Sequence, residues 1–162
     1  MECHKKRYGV LSGGVGPVKI GNNVFIGNHA IILKDTDIGD NTIVGAGSVV
    51  SGVFPSDVVI AGVPAKIVCS LQEFKEKRVA KQYKEAAELV RNYRKAFNYN
   101  PSKERIGSYF WLWEPREKSI VESNGAYLSR MMKKGNYEDS ISVFMNSAPM
   151  FPSYEDFIAS VK

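Results

Sequence analysis

Between Ile20 and Pro55 the apolar and polar positions repeat every six residues, IGNNVF IGNHAI ILKDTD IGDNTI VGAGSV VSGVFP. Ile20, Ile26, Ile32, Ile38, Val44 and Val50 open the units, and glycine follows at Gly21, Gly27, Gly39 and Gly45. Four residues after each aliphatic stand Val24, Ala30, Thr36, Thr42, Ser48 and Phe54, all small or β-branched except the last. A period of six fits neither an amphipathic helix nor a half-buried alternating strand. It fits a coil of short strands joined by tight turns, the hexapeptide class of parallel β-helix, in which stacked coils bury an apolar column that no single repeat could bury. The repeated aliphatics are expected to point inward. The pairs Gly21-Asn22, Gly27-Asn28 and Gly39-Asp40 are expected to turn the corners, glycine because it takes positive φ freely. Leu33 and Ser51 replace glycine without shifting the phase. An ordinary β-sandwich gives no reason for three positions to stay in register over six units.

After Pro55 and Pro64 the pattern changes. Ser70 and Glu73 form a capping-box signature. In the segment that follows, Val79, Tyr83, Ala86, Val90, Tyr93 and Phe97 alternate spacings of four and three, one apolar stripe on a long helix. That stripe is expected to pack against the β-helix or a neighbouring subunit. Ser102 can cap a shorter helix bearing Ile106, Phe110 and Trp113, turns are expected at Asn124-Gly125 and Gly135-Asn136, and Ser153 with Asp156 marks a last capped helix. The fold expected is mainly β, a short left-handed parallel β-helix with an α-helical C-terminal extension. Residues 1–69 form the N-terminal loop and β-helix and residues 70–162 the extension.

Composition narrows the function classes. The chain has 162 residues, 44% hydrophobic and 24% charged, enough for one ordinary core or a small repeat domain with an appendage. No apolar run approaches the roughly 18 residues of a membrane span, and no signal-peptide core opens the chain, so a cytoplasmic protein is expected. Cys3 and Cys69 lie far apart and make no CxxC motif, which predicts reduced thiols. Of the net charge of +5, residues 1–69 carry +1 and residues 70–162 carry +4. The positives alternate with glutamates and lack the aromatic interleaving that suits base stacking, so no nucleic-acid partner is expected.

The quoted motifs give the chemistry. PVKIGNNVFIG at Pro17 to Gly27, IGDNTIVGAGSVV at Ile38 to Val50 and AGVPAKIV at Ala61 to Val68 together resemble the left-handed β-helix acyltransferases that use acetyl-CoA, in particular sugar and polysaccharide O-acetyltransferases. The resemblance implies a homotrimer of prisms with each active site between two subunits. It implies that Ala46 and Ala61 contact the pantetheine arm through their backbones, that Asn28 lines the thioester end, and that Lys66 faces the coenzyme phosphates as a point charge. His4, in an irregular opening loop upstream of the PVxIG strand, matches the family's catalytic histidine. Imidazole titrates near neutral pH and can take the proton of an attacking hydroxyl. The other reading of His4 is a solvated residue beside Lys5, Lys6 and Arg7.

Some positions depart from the family pattern. Gly52 and Cys69 stand where basic residues often occur. Further coils or a helical segment normally precede the catalytic loop, so the chain is either part of a longer enzyme or has lost part of its site. His29 sits at a corner and is expected to face outward. A metal site needs a third ligand that two histidines cannot supply, so no metal is expected. No acyl-enzyme is expected, because no Ser or Cys sits beside a histidine in a recognised arrangement, and backbone amides would stabilise the oxyanion. The reading is acetyl transfer from acetyl-CoA to a hydroxyl of a sugar or surface polysaccharide precursor. Its alternative is a non-catalytic trimeric binding or oligomerisation module. Trp111 and Trp113 read as a small core, with a carbohydrate platform as the second choice.

Overall fold

The computed structural model describes residues 2–123 and 137–162. They form two compact units, Met1–Arg78 and Val79–Lys162. The first is built of short strands and the second of helices. The turns expected at Asn124-Gly125 and Gly135-Asn136 lie outside the described residues.

The first unit is a coil. Its strands are β1 (Val18–Ile20), β2 (Phe25–Ile26), β3 (Ile31–Ile38), β4 (Ile43–Val44), β5 (Val49–Phe54), β6 (Val58–Gly62) and β7 (Ala65–Ser70). β1 pairs in parallel with β3, β2 with β4 and β3 with β5, in registers such as Ile20↔Ile38, Phe25↔Ile43 and Ile32↔Val50. Stacked partners in these registers are 18 residues apart, three hexapeptides to a coil, and the interval shortens to 16 in later pairs such as Ile38↔Phe54 and Val44↔Ile60. Ile38, Val44 and Val50 are fully buried along the column, while Ile20 and Ile26 in the first coil stay 45% and 41% exposed. Stacking buries an inward residue only where coils lie on both sides of it.

The second inward position is filled by hydroxyls that do local work. Thr36 Oγ1 donates to the Leu33 carbonyl (2.6 Å), Thr42 Oγ1 to Gly39 (2.8 Å) and Ser48 Oγ to Gly45 (2.7 Å). All three side chains are buried, and each bond satisfies a hydroxyl that would otherwise cost free energy in the core. The same i→i−3 bond thus closes successive corners.

Glycine plays a different part from the one its sequence position suggested. Positive φ falls at Asn23, His29, Asp35, Asn41 and Gly47, every sixth residue and two places after the unit's glycine position. The repeated glycines instead face the next coil. A Cβ on Gly27 would lie 2.5 Å from the Ala46 nitrogen, one on Gly39 2.4 Å from the Ser56 nitrogen, and one on Gly45 2.8 Å from Ala61 Cβ. These residues are glycine so that coils can approach, while Asn, Asp and His carry the left-handed corners, which polar side chains of this kind tolerate.

Two further differences concern the ends of the coil. Residues Glu2–Tyr8 form a helix, α1, where an irregular loop was expected. The stretch ECHKKRY holds Glu, Lys and Arg and no Gly or Pro before Gly9, so local propensity favours that helix. The coil also ends in an antiparallel hairpin, with β7 running back along β6 across a tight turn at Val63-Pro64 and Ala65 buried beneath it.

The long helix α2 (Leu71–Phe97) begins as expected. The Ser70 amide donates to Glu73 Oε2 (2.8 Å) and the Glu73 amide to Ser70 Oγ (3.1 Å). The Ser70 amide, and after it the Ser70 hydroxyl donating to the same Oε2 (3.0 Å), hold the Glu73 carboxyl below its ordinary value. The apolar stripe is used within the second unit: Ala86, Ala87 and Val90 pack with Ile106, Phe110, Trp113 and Phe157. Its ends do not join this core, since Val79 and Phe97 are more than half exposed. The segment after Ser102 forms a 3₁₀ turn, Gly107–Leu112, rather than an α-helix. Helices α3 (Lys118–Ser123), α4 (Tyr137–Met145) and α5 (Tyr154–Ser160) follow, the last capped by Ser153 Oγ accepting from the Asp156 amide (3.1 Å).

Candidate functional site

The coil's 18-residue period brings distant sequence positions to one corner. Asn28 and His29 turn it in the first coil and Ala46 and Gly47 in the second, joined by the bond from the Gly47 amide to the Asn28 carbonyl (2.9 Å). Ala61 and Gly62 continue the line. The Gly62 amide donates to Ser48 Oγ (3.2 Å), and the Gly45 amide to the Ile60 carbonyl (2.8 Å). Ser48 therefore donates within its own GAGS turn and accepts from the AGVPAK hairpin, which couples the two motifs physically. Lys66 sits opposite Ala61 in the hairpin register. Asn28, Ala46 and Lys66 are exposed and Ala61 is half-buried. The structure thus assembles all four expected coenzyme residues on one edge, with little side-chain bulk over Ala46, Gly47 and Gly62.

This edge has the properties a long flexible ligand needs. Small side chains let a ligand run close to the backbone, where peptide groups can donate and accept. One cation, Lys66, stands at the hairpin end. His29 occupies the corner beside Asn28 with φ +61 and is exposed, as expected for an outward corner residue.

His4 is placed elsewhere. It is exposed on α1, and its Nδ1 lies 3.3 Å from Ser12 Oγ. The chain after Ser12 runs past a different corner: Gly14 lies against Lys34, Gly16 against Asp35, and the Asp35 amide donates to the Pro17 carbonyl (2.8 Å). Among the described residues no hydrogen bond links His4 to the Asn28 edge. Sequence spacing alone does not reveal this separation, since it depends on which corner the leading segment crosses.

The outer surface of the coil is uneven in character. Phe25 and Ile31 point outward and are 64% and 55% exposed, with Ile43 and Val49 stacked beside them in register. The remaining face carries Lys19 and Asp37, 3.8 Å apart. Val53, 80% exposed, stacks beside Asp37, so an apolar side chain reaches that face as well.

The two tryptophans are core residues, as their first reading held. Trp113 stacks on Phe157 with ring centroids 5.0 Å apart, and Trp111 Nε1 donates to Gln82 Oε1 (2.8 Å). Neither ring is an open platform. Cys69 is a free thiol, half-buried; the side chain of Cys3 lies outside the described residues. Among the described residues no group of His, Cys, Asp or Glu could hold a metal ion, and no helix is long and apolar enough to cross a membrane.

Residues 17–52 match the bacterial transferase hexapeptide, six repeats, so the likeness to hexapeptide-repeat acyltransferases holds over the stretch that forms the coil. Galactoside O-acetyltransferase of Escherichia coli (strain K12) is 43% identical over 68 residues, which are 42% of this chain and 34% of that protein. The 2,3,4,5-tetrahydropyridine-2,6-dicarboxylate N-acetyltransferase of Clostridium perfringens (strain SM101 / Type A) is 47% identical over 57 residues, 35% of this chain and 24% of that protein. Among solved structures, a galactoside acetyltransferase in complex with coenzyme A aligns with 43% identity and a TM-score of 0.36, covering 38% of this chain and 30% of that one. The chain spans about a third or less of the length of the relatives it matches.

Proposed function

We propose that this chain is an acetyltransferase built on a left-handed parallel β-helix, moving an acetyl group from acetyl-CoA to a hydroxyl of a sugar or surface polysaccharide precursor. The observation that carries the reading is the edge where Asn28, Ala46, Ala61 and Lys66 converge, within a segment whose relatives are named acetyltransferases. A sugar acceptor is favoured by the galactoside enzyme among them.

Coenzyme A would lie along that edge. The pantetheine arm would run beside the backbone of Ala46 and Ala61, with Asn28 at the thioester and Lys66 toward the phosphates. His4 is the general base. In the tautomer whose Nδ1–H donates to Ser12 Oγ, Nε2 is left as the basic nitrogen and takes the acceptor hydroxyl's proton. The alkoxide oxygen bonds to the thioester carbonyl carbon, and backbone amides hold the oxyanion. On collapse the C–S bond breaks, the protonated imidazole returns its proton to the sulfur, and the products are the O-acetyl ester and free coenzyme A.

His4 and the donor edge occupy different parts of one chain, which supports a homotrimer in which the base of one subunit meets the edge of its neighbour. The outward Phe25 and Ile31, with Ile43 and Val49 beside them, supply apolar faces for that assembly.

Calorimetric titration with acetyl-CoA tests the donor site without knowledge of the acceptor. Saturable binding, weakened about three- to tenfold by Lys66→Ala, is expected for one exposed charge on a polyanion. His4→Ala should leave that binding intact and abolish transfer. A folded protein that does not bind acetyl-CoA would return the chain to the alternative of a non-catalytic trimeric module.

A further inference from the structure

The C-terminal unit carries an exposed aromatic cluster that its core does not use. Tyr93, Phe97 and Tyr99 meet in pairs with ring centroids 4.6, 5.5 and 6.1 Å apart. Phe97 is 56% and Tyr99 61% exposed. The chain leaves α2 at Asn98 with φ +60, which folds Tyr99 back beside the helix so that its hydroxyl accepts from that of Tyr93 (3.3 Å). Among the described residues the ring contacts of these three side chains are with one another.

Arg94 and Asn100, the chain neighbours of Tyr93 and Tyr99, line a cavity of about 440 Å³ together with Tyr154, Glu155 and the apolar Ile158 and Val161. Its size falls within the range of small-ligand sites. Its walls offer donors and acceptors together. Arg94 uses three N–H groups on Asn100 Oδ1 and the carbonyls of Ile158 and Val161, and a guanidinium has five. Glu155 supplies an acceptor-only carboxylate, and Asn100 an amide.

We propose that this cavity and the flanking rings form a binding site for a neutral oligosaccharide. A pyranose has an apolar C–H face, which suits the face of an exposed ring, and a rim of hydroxyls that both donate and accept. Arg94 and Glu155 put opposite charges in one wall, which suits a neutral ligand better than a polyanion. An aliphatic ligand would cover the Glu155 carboxylate and the two Arg94 N–H groups beyond the three already bonded, and give them nothing to pair with. The steep angle between Tyr93 and Tyr99, 79°, breaks the surface into separate ring faces rather than the flat apolar patch a protein partner would cover. The site requires no transfer chemistry.

The test uses the full chain and a panel of probes: maltohexaose, cellohexaose, chitohexaose and a galactan oligomer, titrated by calorimetry and by NMR of the aromatic ring protons. At least one should saturate and shift the resonances of Tyr93, Phe97 and Tyr99. Phe97→Ala and Tyr99→Ala should each weaken it about five- to tenfold without changing the melting curve, since both rings are exposed. Acetyl-CoA titrated into the same samples separates the two sites: Lys66→Ala should lose donor affinity and keep the glycan, and Tyr99→Ala the reverse. Binding unaffected by either aromatic substitution, or ring resonances unmoved by all four probes, would overturn the proposal, as would tighter binding of a single-stranded oligonucleotide at these rings.

Discussion

The part assigned to the repeated glycines can be tested against the one their sequence position suggests. In Gly27→Ala the new methyl carbon would lie 2.5 Å from the Ala46 nitrogen, 2.8 Å from its Cα and 2.8 Å from the Val44 carbonyl oxygen. All three are backbone atoms, so no flexible side chain can swing away. The coils must part, which strains the bond from the Gly27 amide to the Val44 carbonyl, now 2.8 Å. Overpacking of this kind costs about 1–3 kcal/mol, and a weakened backbone hydrogen bond adds about 0.5–1.5 kcal/mol. A loss of about 2–4 kcal/mol is expected, which moves a urea midpoint down by about 1–2 M. Gly47→Asn is the control. Gly47 has φ +68 and open space where a Cβ would stand, and Asn already holds that conformation at Asn23 and Asn41. Its effect should stay within about 0.5 kcal/mol. Urea unfolding followed in the strand band of the far-UV circular dichroism gives both numbers, and hydrogen exchange over residues 20–60 locates the damage. Equal stability of Gly27→Ala and Gly47→Asn would refute the close-approach account.

Three further outcomes follow from named contacts. Trp113→Ala, which removes a buried ring stacked on Phe157, should destabilise the second unit by about 3–5 kcal/mol in thermal unfolding. Ser70→Ala should cost about 1 kcal/mol by removing the α2 cap; because Glu73 is held below its ordinary value, the stability it lends is present at neutral pH and fades as pH falls through its folded-state value, a dependence that Glu73→Gln should flatten. Burial pushes the Tyr154 phenol up to about 12, with Glu104 adding to the effect, so its contribution is complete below the ordinary value near 10 and is lost as pH rises toward 12; ultraviolet titration of the phenolate should show that late step disappear in Tyr154→Phe.

The coil was legible because its signal is local and repeated. Six residues suffice to state one face and one corner, and Ile38, Val44 and Val50 needed only their period to be placed inward. Ile20 and Ile26 obey the same pattern yet stay exposed, since burial depends on what lies above them. The glycines mislead for a related reason: Gly27 touches Ala46, and nothing in IGNHAI records that neighbour. The hairpin of β6 and β7 was not visible either, because strand direction after Val63-Pro64 is a tertiary fact. Two of the three expected side-chain caps, at Ser70 and Ser153, lie within four residues of sequence and form, whereas the segment after Ser102 makes a 3₁₀ turn with no side-chain cap.

The donor edge divides along the same line. Asn28 and Ala46 differ by one full coil, so the period that predicts the fold also predicts their meeting, and Ser48 carries the register on to Gly62. Lys66 arrives through the hairpin, and the corner crossed by the chain leading from His4 is set by the contacts of Gly14 and Gly16 with Lys34 and Asp35, which no periodicity encodes. The aromatic trio shows the limit in another form. Tyr93 and Phe97 are visibly one turn apart, but their exposure and the return of Tyr99 depend on α2 packing its buried stripe through Ala86, Ala87 and Val90 and then ending at Asn98. A stripe read as continuous from Val79 to Phe97 is therefore used only in its middle, which makes a core, while Val79 at one end and Phe97 at the other stay exposed.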